Sequence, residues 1–500
     1  VGVEAVSRDV TTLGRRDAWT GVRAVVAGFG ASGAAAVDNL LHLGADVHAV
    51  AESVSPRILE RVELLEVLGA RIDVHTGATH DLPAGDVDLL IVSPGFRPDA
   101  PIVTAARERG VVVWGEAELA WRLRDPANPA PWLCVTGTNG KTTTVQMLES
   151  ILRAAGLRTV AAGNVGLPLT EAVMDPEGYD VLAVELSSFQ LHSVQTMAAE
   201  SAVVLNVAED HLDWYENHGG MSGYARDKGR IYEGVERACV YNVADPVTEQ
   251  LVRDADVVEG ARAVGFTLGV PGPGMLGVVD EFLVDRAFIA ERGTSAAELC
   301  TLDDLASQAP HFIANALAAA ALARAHGVSQ AAVRDGLRAF RPGDHRIAVV
   351  TEHEAVTWVD DSKATNPHAA ASSLAAFDSV VWVAGGLAKG ATFDDLVATV
   401  GSRLRAVVLL GEDRGLIADA LSRHAPDVPV FDVESTETGD AESGSGGDLM
   451  RRVVAAAAGV AQPGDTVLLA PGCASMDRFT DYAARGDAFA AAVRKHTGTE

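Results

Sequence analysis

Short apolar runs rich in Val, Ile, Leu and Ala recur along the chain, each leading into a glycine-bearing turn and then a stretch with helical spacing. They fall at 22–27, 46–50, 89–92 and 111–113, then at 132–135, 181–185 and 202–207. A last series follows at 356–359, 380–384, 406–410, 428–431 and 466–469. Continuously apolar strands that alternate with helices predict parallel sheets covered on both faces, an α/β fold. Ligands of such sheets bind beyond the carboxyl ends of the strands.

Two breaks divide the series. The segment 125–131, DPANPAP, is too rich in proline for helix or central strand, and 340–344, FRPGD, separates an Ala-rich helical region from fresh strands. The expected domains are 1–127, 128–341 and 342–500: an N-terminal Rossmann-like domain, a central phosphate-loop domain on a parallel sheet and a C-terminal Rossmann-like domain. The acidic, low-complexity stretch 434–448 reads as a surface insertion.

Composition narrows the function. A formal net charge of −28 argues against nucleic-acid and anionic-membrane partners, so any anionic ligand must be held by a few placed cations and local dipoles. The four cysteines form no CxxC pair, and the most apolar helical stretch, 313–325, is too short to cross a membrane. The first twenty residues lack the apolar run of a signal peptide. The expectation is a soluble, cytoplasmic, monomeric enzyme of small molecules. Only five of the 40 basic residues are lysine, and four of those, Lys141, Lys228, Lys363 and Lys389, lie in compact polar motifs. Where Arg is otherwise preferred, a retained Lys points to a need for a compact or deprotonatable amine.

The sharpest motif is the strand at 132–135 running into Gly137-Thr138-Asn139-Gly140-Lys141-Thr142-Thr143 and a helix. Backbone N–H groups and the helix N-terminus would cradle phosphates, Lys141 would reach their oxygens, and Thr142 would hold Mg²⁺. The loop is shorter at its start than the usual phosphate loop. Near the N-terminus, Gly28-Phe29-Gly30-Ala31-Ser32-Gly33 follows a strand, with Glu52 some distance beyond, and Ser93-Pro94-Gly95 ends a neighbouring strand. Alone, that glycine turn fits NAD, FAD, another nucleotide or no ligand.

Glu185-Leu-Ser187-Ser-Phe-Gln190 and Asn206-Val-Ala-Glu-Asp-His211 end two central strands, and Lys228 follows. Oxygen-rich groups beside a triphosphate suit Mg²⁺ better than zinc. In the last domain, Asp361-Ser-Lys363-Ala-Thr365-Asn, Gly-Gly-Leu-Ala-Lys389-Gly and Pro-Gly-Cys-Ala-Ser475-Met476-Asp each follow a strand. Two lysines and two hydroxyls there could form a carboxylate pocket, while Asp361 and Ser475 equally suit helix capping.

Together GTNGKTTT, GNVG, ELSSFQL, NVAEDHLD, YARDKGRIY, DSKATN, GGLAKG and PGCASMD resemble the Mur ligases of peptidoglycan synthesis, across all three segments. LSSFQL with DSKATN is similar to the branch that joins D-glutamate to UDP-N-acetylmuramoyl-L-alanine. The resemblance implies a UDP-substrate site at Gly30, Ser32, Gly33, Ser93 and Gly95, with Asn164, Ser187 and Gln190 on the sugar-peptide. It implies ATP on the 137–143 loop with Asn315, Arg346 and Asp361, and Mg²⁺ at Thr142, Glu185, His211 and a carbamylated Lys228. Lys141, Glu185, His211 and Lys228 would form the catalytic group, and Lys363, Thr365, Lys389, Ser475, Met476 and Tyr482 would hold glutamate. Phe312 stands where the family usually has Asn, and Val54 where it often has Arg. Two rival readings are a folylpolyglutamate-synthase-like ligase and an NAD-dependent dehydrogenase.

Overall fold

The structure is a computed structural model that describes residues 9–53, 58–434 and 446–499. Val54 and most of the 434–448 insertion therefore lie outside the described residues. The chain divides into two compact units, one of residues 1–207, 222–305 and 313–340, the other of 208–221, 306–312 and 341–500.

The first unit holds two sheets. Five strands, β1 (Arg23–Ala27), β2 (Asp46–Ala51), β3 (Arg71–Val74), β4 (Leu89–Val92) and β5 (Val112–Gly115), form a parallel sheet in the order 3-2-1-4-5. Ala27 pairs across to Val50 and Val92, so the turns after β1, β2 and β4 open at the same sheet edge. Burial on both faces explains why β4 throughout, and β1 from Ala24 onward, are apolar at every inward and outward position.

The second sheet contains β6 (Trp132–Thr136), β7 (Thr159–Gly163), β8 (Val181–Glu185), β9 (Ser201–Val204), β10 (Ala238–Asn242), β11 (Arg262–Phe266), β12 (Met275–Val279), β13 (Phe282–Asp285) and β14 (Ala297–Thr301). Their order is 14-13-12-11-10-9-6-8-7. Pairing is parallel from β7 to β12 and antiparallel among β12, β13 and β14. The antiparallel extension and β3, β7, β10 and β11 are absent from the sequence reading. β9 stops at Val204, short of the expected 207, which frees Leu205, Asn206 and Val207 to enter the loop region beside β6.

One hydrophobic core runs from Val26, Ala49 and Trp114 of the first sheet to Trp132, Val184 and Ala202 of the second. Two buried carboxylates stitch this junction. Glu116 accepts from Thr170 N–H and its hydroxyl, and Glu118 accepts from the N–H groups of Gln195 and Thr196 and from the Thr196 hydroxyl.

The second unit is built on β15 (Ala348–His353), β16 (Val356–Asp360), β17 (Val380–Ala384), β18 (Leu404–Leu409), β19 (Val430–Asp432) and β20 (Thr466–Leu469), in the order 15-16-20-17-18-19. Only the β15–β16 pair is antiparallel. Apolar layers cover both faces, one around Trp382 and Phe393, the other around Trp358, Met450 and Phe489. Among the described residues no helix is long and apolar enough to cross a membrane.

Candidate active site

The phosphate-loop sequence folds as its glycines require. Gly137 (φ +156°) and Gly140 (φ +84°) hold positive-φ backbone, the latter as the N-cap of the helix Lys141–Ala154. A Cβ on Gly140 would stand 2.4 Å from Asn315 Oδ1, and one on Gly137 would stand 3.0 Å from Leu205 Cβ. The loop is pinned from the side by Asn206, which accepts from Asn139 N–H (2.9 Å), donates to Asn139 O (3.1 Å) and takes the Thr138 N–H on its backbone carbonyl.

Lys141 Nζ donates to the carbonyls of Gly137 and Thr138, both at 2.9 Å. Lys228, 1% exposed, donates to the same Gly137 carbonyl at 2.8 Å and lies 4.4 Å over the Tyr224 ring, whose hydroxyl meets Thr138 Oγ1 at 3.1 Å. Thr142 stands half-buried in the first turn of the helix, and Thr143 is buried behind it.

At the end of β8, Val135 pairs with Glu185, which brings that carboxylate to the strand next to the loop. Glu185 is 1% exposed; Oε1 accepts from Asn164 Nδ2 at 2.8 Å, and Oε2 has no hydrogen-bond partner. A buried carboxylate oxygen left unpaired is costly unless a cation or donor completes it, so this atom fits a divalent cation. Among the described residues no three His, Cys, Asp or Glu side chains cluster as a metal site. His211 belongs to the other compact unit. It takes left-handed backbone (φ 54°), and its backbone N–H donates to Asp210.

Asn164, in the GNVG turn, also donates its backbone N–H to Glu185 O. Ser187 and Gln190 form a capping box on the helix Ser188–His192, in which the Gln190 amide oxygen accepts from Ser187 N–H and Oγ. Their first duty is thus local, and it leaves the Gln190 amide nitrogen without a bond to the described chain.

In the N-terminal glycine turn the three glycines differ. Gly28 (φ +90°) has no room for a Cβ beside Ser93, and a Cβ on Gly33 would stand 2.0 Å from Gly28 O. A Cβ on Gly30 or Gly95 would meet nothing within 4 Å, so Gly30, Ser32 and Gly95 are where a ligand can approach the backbone. Ser93 Oγ donates to Gly28 O at 3.2 Å. Glu52, though exposed, is already engaged: it accepts from Gly77 N–H, Thr79 N–H and the Thr79 hydroxyl. That spends the carboxylate a dinucleotide ribose would need.

In the second unit the loops after β17, β18 and β20 brace one another. Leu387 and Ala474 exchange backbone bonds, Asp413 accepts from Ala388 N–H, and Asp477 accepts from Glu412 N–H. Lys389 takes left-handed backbone (φ 52°). With Thr365, Glu209 and Asp210 it lines a cavity of about 10 Å³, while Asn366 donates to Asp210 Oδ2 at 3.3 Å. Lys363 Nζ lies 3.9 Å over the Tyr482 ring. Ser475 is buried, whereas Met476 is 63% exposed. Asp361 is buried and bonded by Ser373 Oγ; burial pushes its carboxyl up to about 6 against the pull of Ser373, Ile347 N–H and Arg346.

Sequence reasoning missed Arg485. Its guanidinium is fully buried and ties Ser362 Oγ, Ser362 O and Cys473 O together, setting the DSKATN segment against the PGCAS segment. No local motif marks it, since the partners lie far away in sequence. Tyr224 was missed for the same reason.

A glycine loop opening a helix, a buried carboxylate with one open oxygen and two lysines on one carbonyl are what a nucleotide-dependent enzyme sets beside a phosphate. Comparison places it. Residues 22–115 match the Mur ligase MurD-like N-terminal domain, 135–323 the Mur ligase middle domain and 345–473 the Mur ligase glutamate ligase domain. The chain belongs to the Mur ligase family. It is 59% identical to UDP-N-acetylmuramoylalanine–D-glutamate ligase of Streptomyces avermitilis over 95% of this chain and 98% of that protein. It is 52% identical to the protein of that name from Thermobifida fusca, over 96% and 99%. In fold it is similar to the MurF ligase of Thermotoga maritima in complex with ADP, at TM-score 0.56 and 18% identity, covering 98% of this chain and 99% of that one.

Proposed function

We propose that this chain joins D-glutamate to UDP-N-acetylmuramoyl-L-alanine at the expense of ATP, in the cytoplasmic assembly of peptidoglycan precursors. The observation that carries the reading is the near full-length identity to ligases of that name, which rises to 59%. On this reading the alanine carboxylate attacks the γ-phosphorus of ATP and ADP departs. The glutamate amine then attacks the acyl-phosphate carbonyl, and inorganic phosphate leaves as the amide forms. Such chemistry asks the protein for positioning and charge neutralisation.

The residues take the following parts. Gly137, Thr138, Asn139, Gly140 and Thr143 present the phosphate cradle, and Lys141 neutralises the transferring phosphoryl group. Asn315, Arg346 and Asp361 complete the ATP site. Thr142, Glu185, His211 and a carbamylated Lys228 would hold Mg²⁺, which supplies charge neutralisation at the phosphates when bound. The open Oε2 of Glu185 supports that assignment. Gly30, Ser32, Gly33, Ser93 and Gly95 receive the UDP moiety, and Asn164, Ser187 and Gln190 the sugar-peptide. Lys363, Thr365, Lys389, Ser475, Met476 and Tyr482 receive glutamate. The domains break at 127/128 and 341/342, and the enzyme works as a monomer.

The test is phosphate release from ATP, with D- and L-glutamate supplied in parallel. Release should require UDP-N-acetylmuramoyl-L-alanine and D-glutamate together. Equal turnover with L-glutamate, or turnover with no amino acid, overturns the reading.

A further inference from the structure

A second cavity, of about 230 Å³, opens in the first unit at the amino ends of β6 and β8. Trp132 and Leu182 line it, whereas the phosphate loop and Glu185 stand at the carboxyl ends of the same strands. A five-residue strand separates the two places by roughly 15 Å. Nothing in the proposed reaction uses this cavity.

Its charges are unequally satisfied. On one wall Arg158 is engaged by Asp175 (3.2 Å) and Glu177 (3.2 Å), and its backbone N–H is taken by Asp180. Arg15 and Arg124 also line the cavity, and neither has a carboxylate within ion-pair distance among the described residues. Arg15 Nη1 donates only to Val173 O, at 2.8 Å. Arg124 Nε donates to Trp121 O at 3.1 Å, and its guanidinium carbon lies over the Trp121 ring, 3.1 Å from the centroid. Asp125 is in the lining too; it is bonded to Arg16 and to Ala127 N–H, and the Ala127 N–H, Arg16 and, beyond ion-pair distance, Arg15 hold its carboxyl low. Burial pulls the Arg124 guanidinium down to about 10, against the weaker opposing pull of Glu236 and Cys134.

A guanidinium that is desolvated, stacked and unpaired pays for burial without return unless an anion completes it. The lining sets three arginines against the carboxylates of Asp125, Asp175, Glu177 and Asp180, each already engaged by another group, so Arg15 and Arg124 are the cations left to meet an incoming anion. We propose that this cavity is a second anion site, in which Arg15 and Arg124 bind a compact, multiply charged oxyanion, phosphoryl or polycarboxylate. Arginine forks suit both oxyanions. The indole and phenol rings of Trp121 and Tyr179 fix the orientations of Arg124 and Arg158, the latter at 4.7 Å.

Calorimetric titration of the full chain with inorganic phosphate and, separately, with citrate, at constant ionic strength, tests the site. Lys141→Ala, which cripples the phosphate loop, serves as the background. The expected result is one saturable site for at least one probe in that background, weakened roughly tenfold by Arg124→Gln or by Arg15→Gln. Binding of phosphate alone assigns the phosphoryl class, and binding of citrate alone the carboxylate class. Absence of binding by both probes, or binding that neither Arg substitution weakens, overturns the proposal. If Arg124→Gln unfolds, the Arg15→Gln comparison decides by itself, read alongside an unchanged melting temperature.

Discussion

Lys141 and Lys228 converge on one atom: both ammonium groups donate to the carbonyl oxygen of Gly137, at 2.9 and 2.8 Å. Two amines on one carbonyl concentrate positive character at the start of the phosphate loop. Lys141 is half-buried and comes from the loop's own helix, while Lys228 arrives buried, from the helix Gly220–Gly229. A planar guanidinium in place of Lys228 would have to enter the closed space over Tyr224.

Lys228→Arg should therefore lose at least about 100-fold in kcat although the charge is kept, the usual cost of removing one preorganised electrostatic group. Lys228→Ala should recover partly with acetate or propionate if the working form of the side chain is a carbamate. Steady-state rates with and without added carboxylate check both. A wild-type rate in Lys228→Arg would refute the assignment.

Much of this site was readable from the chain alone, because its parts are strand ends with glycine, lysine and hydroxyl residues. The sheets were readable where a buried strand is a continuous apolar run, as at β1, β4, β8 and β17, whereas the mixed run of β10, Ala-Cys-Val-Tyr-Asn, escaped. The strands β3 (Arg71–Val74) and β15 (Ala348–His353) escaped because each is an edge strand, partly exposed and interrupted by charge. β13 and β14 belong to an antiparallel extension, and each is a short run broken by charge, at Asp285 and at Glu298. Arg485, Tyr224 and the Glu116–Thr170 contact depend on residues distant in sequence, and a single chain without its fold gives no sign of them.

Gly140 offers a test that separates backbone strain from packing. Gly140→Ala places a Cβ against Asn315 Oδ1 and forces Ala into φ +84°. The left-handed conformation alone should cost about 1–2 kcal/mol. Adding Asn315→Ala should relieve the contact and leave the backbone term. Melting temperatures and ATP-analogue affinity of the two single variants and the double variant make a mutant cycle; full recovery in the double variant would show that only the contact matters.

Glu185→Gln keeps an acceptor for Asn164 Nδ2 but removes the charge from the buried, unpaired Oε2. The Mg²⁺ concentration for half-maximal rate should rise about tenfold or more, with little change in melting temperature in the absence of metal. Magnesium titration of the rate, with unfolding measured in chelator, distinguishes a ligand from a structural carboxylate. An unchanged magnesium requirement would remove Glu185 from the metal set.

Glu116 should make the junction between the first two sheets sensitive to pH. Its carboxyl is pushed from 4.5 up to about 7 by burial, which outweighs the hydrogen bonds from Thr170 and Leu169 N–H. Between those two values the folded state holds more protons than the unfolded state. The stabilising contribution is then complete below about 4.5 and declines as pH rises to 7, by about 3 kcal/mol in all. Partly buried carboxylates such as Asp73 and Asp88, held low by His48 and Arg23, act in the opposite sense. The variant must therefore be compared with the parent at each pH. Glu116→Gln preserves the acceptor that meets Thr170 and carries no charge, so it should match the parent near pH 5 and exceed it at pH 8. Urea midpoints for the two proteins at both pH values measure the difference. A Glu116→Gln protein that is no more stable than the parent at pH 8 would mean that the carboxylate is satisfied in its ionised form.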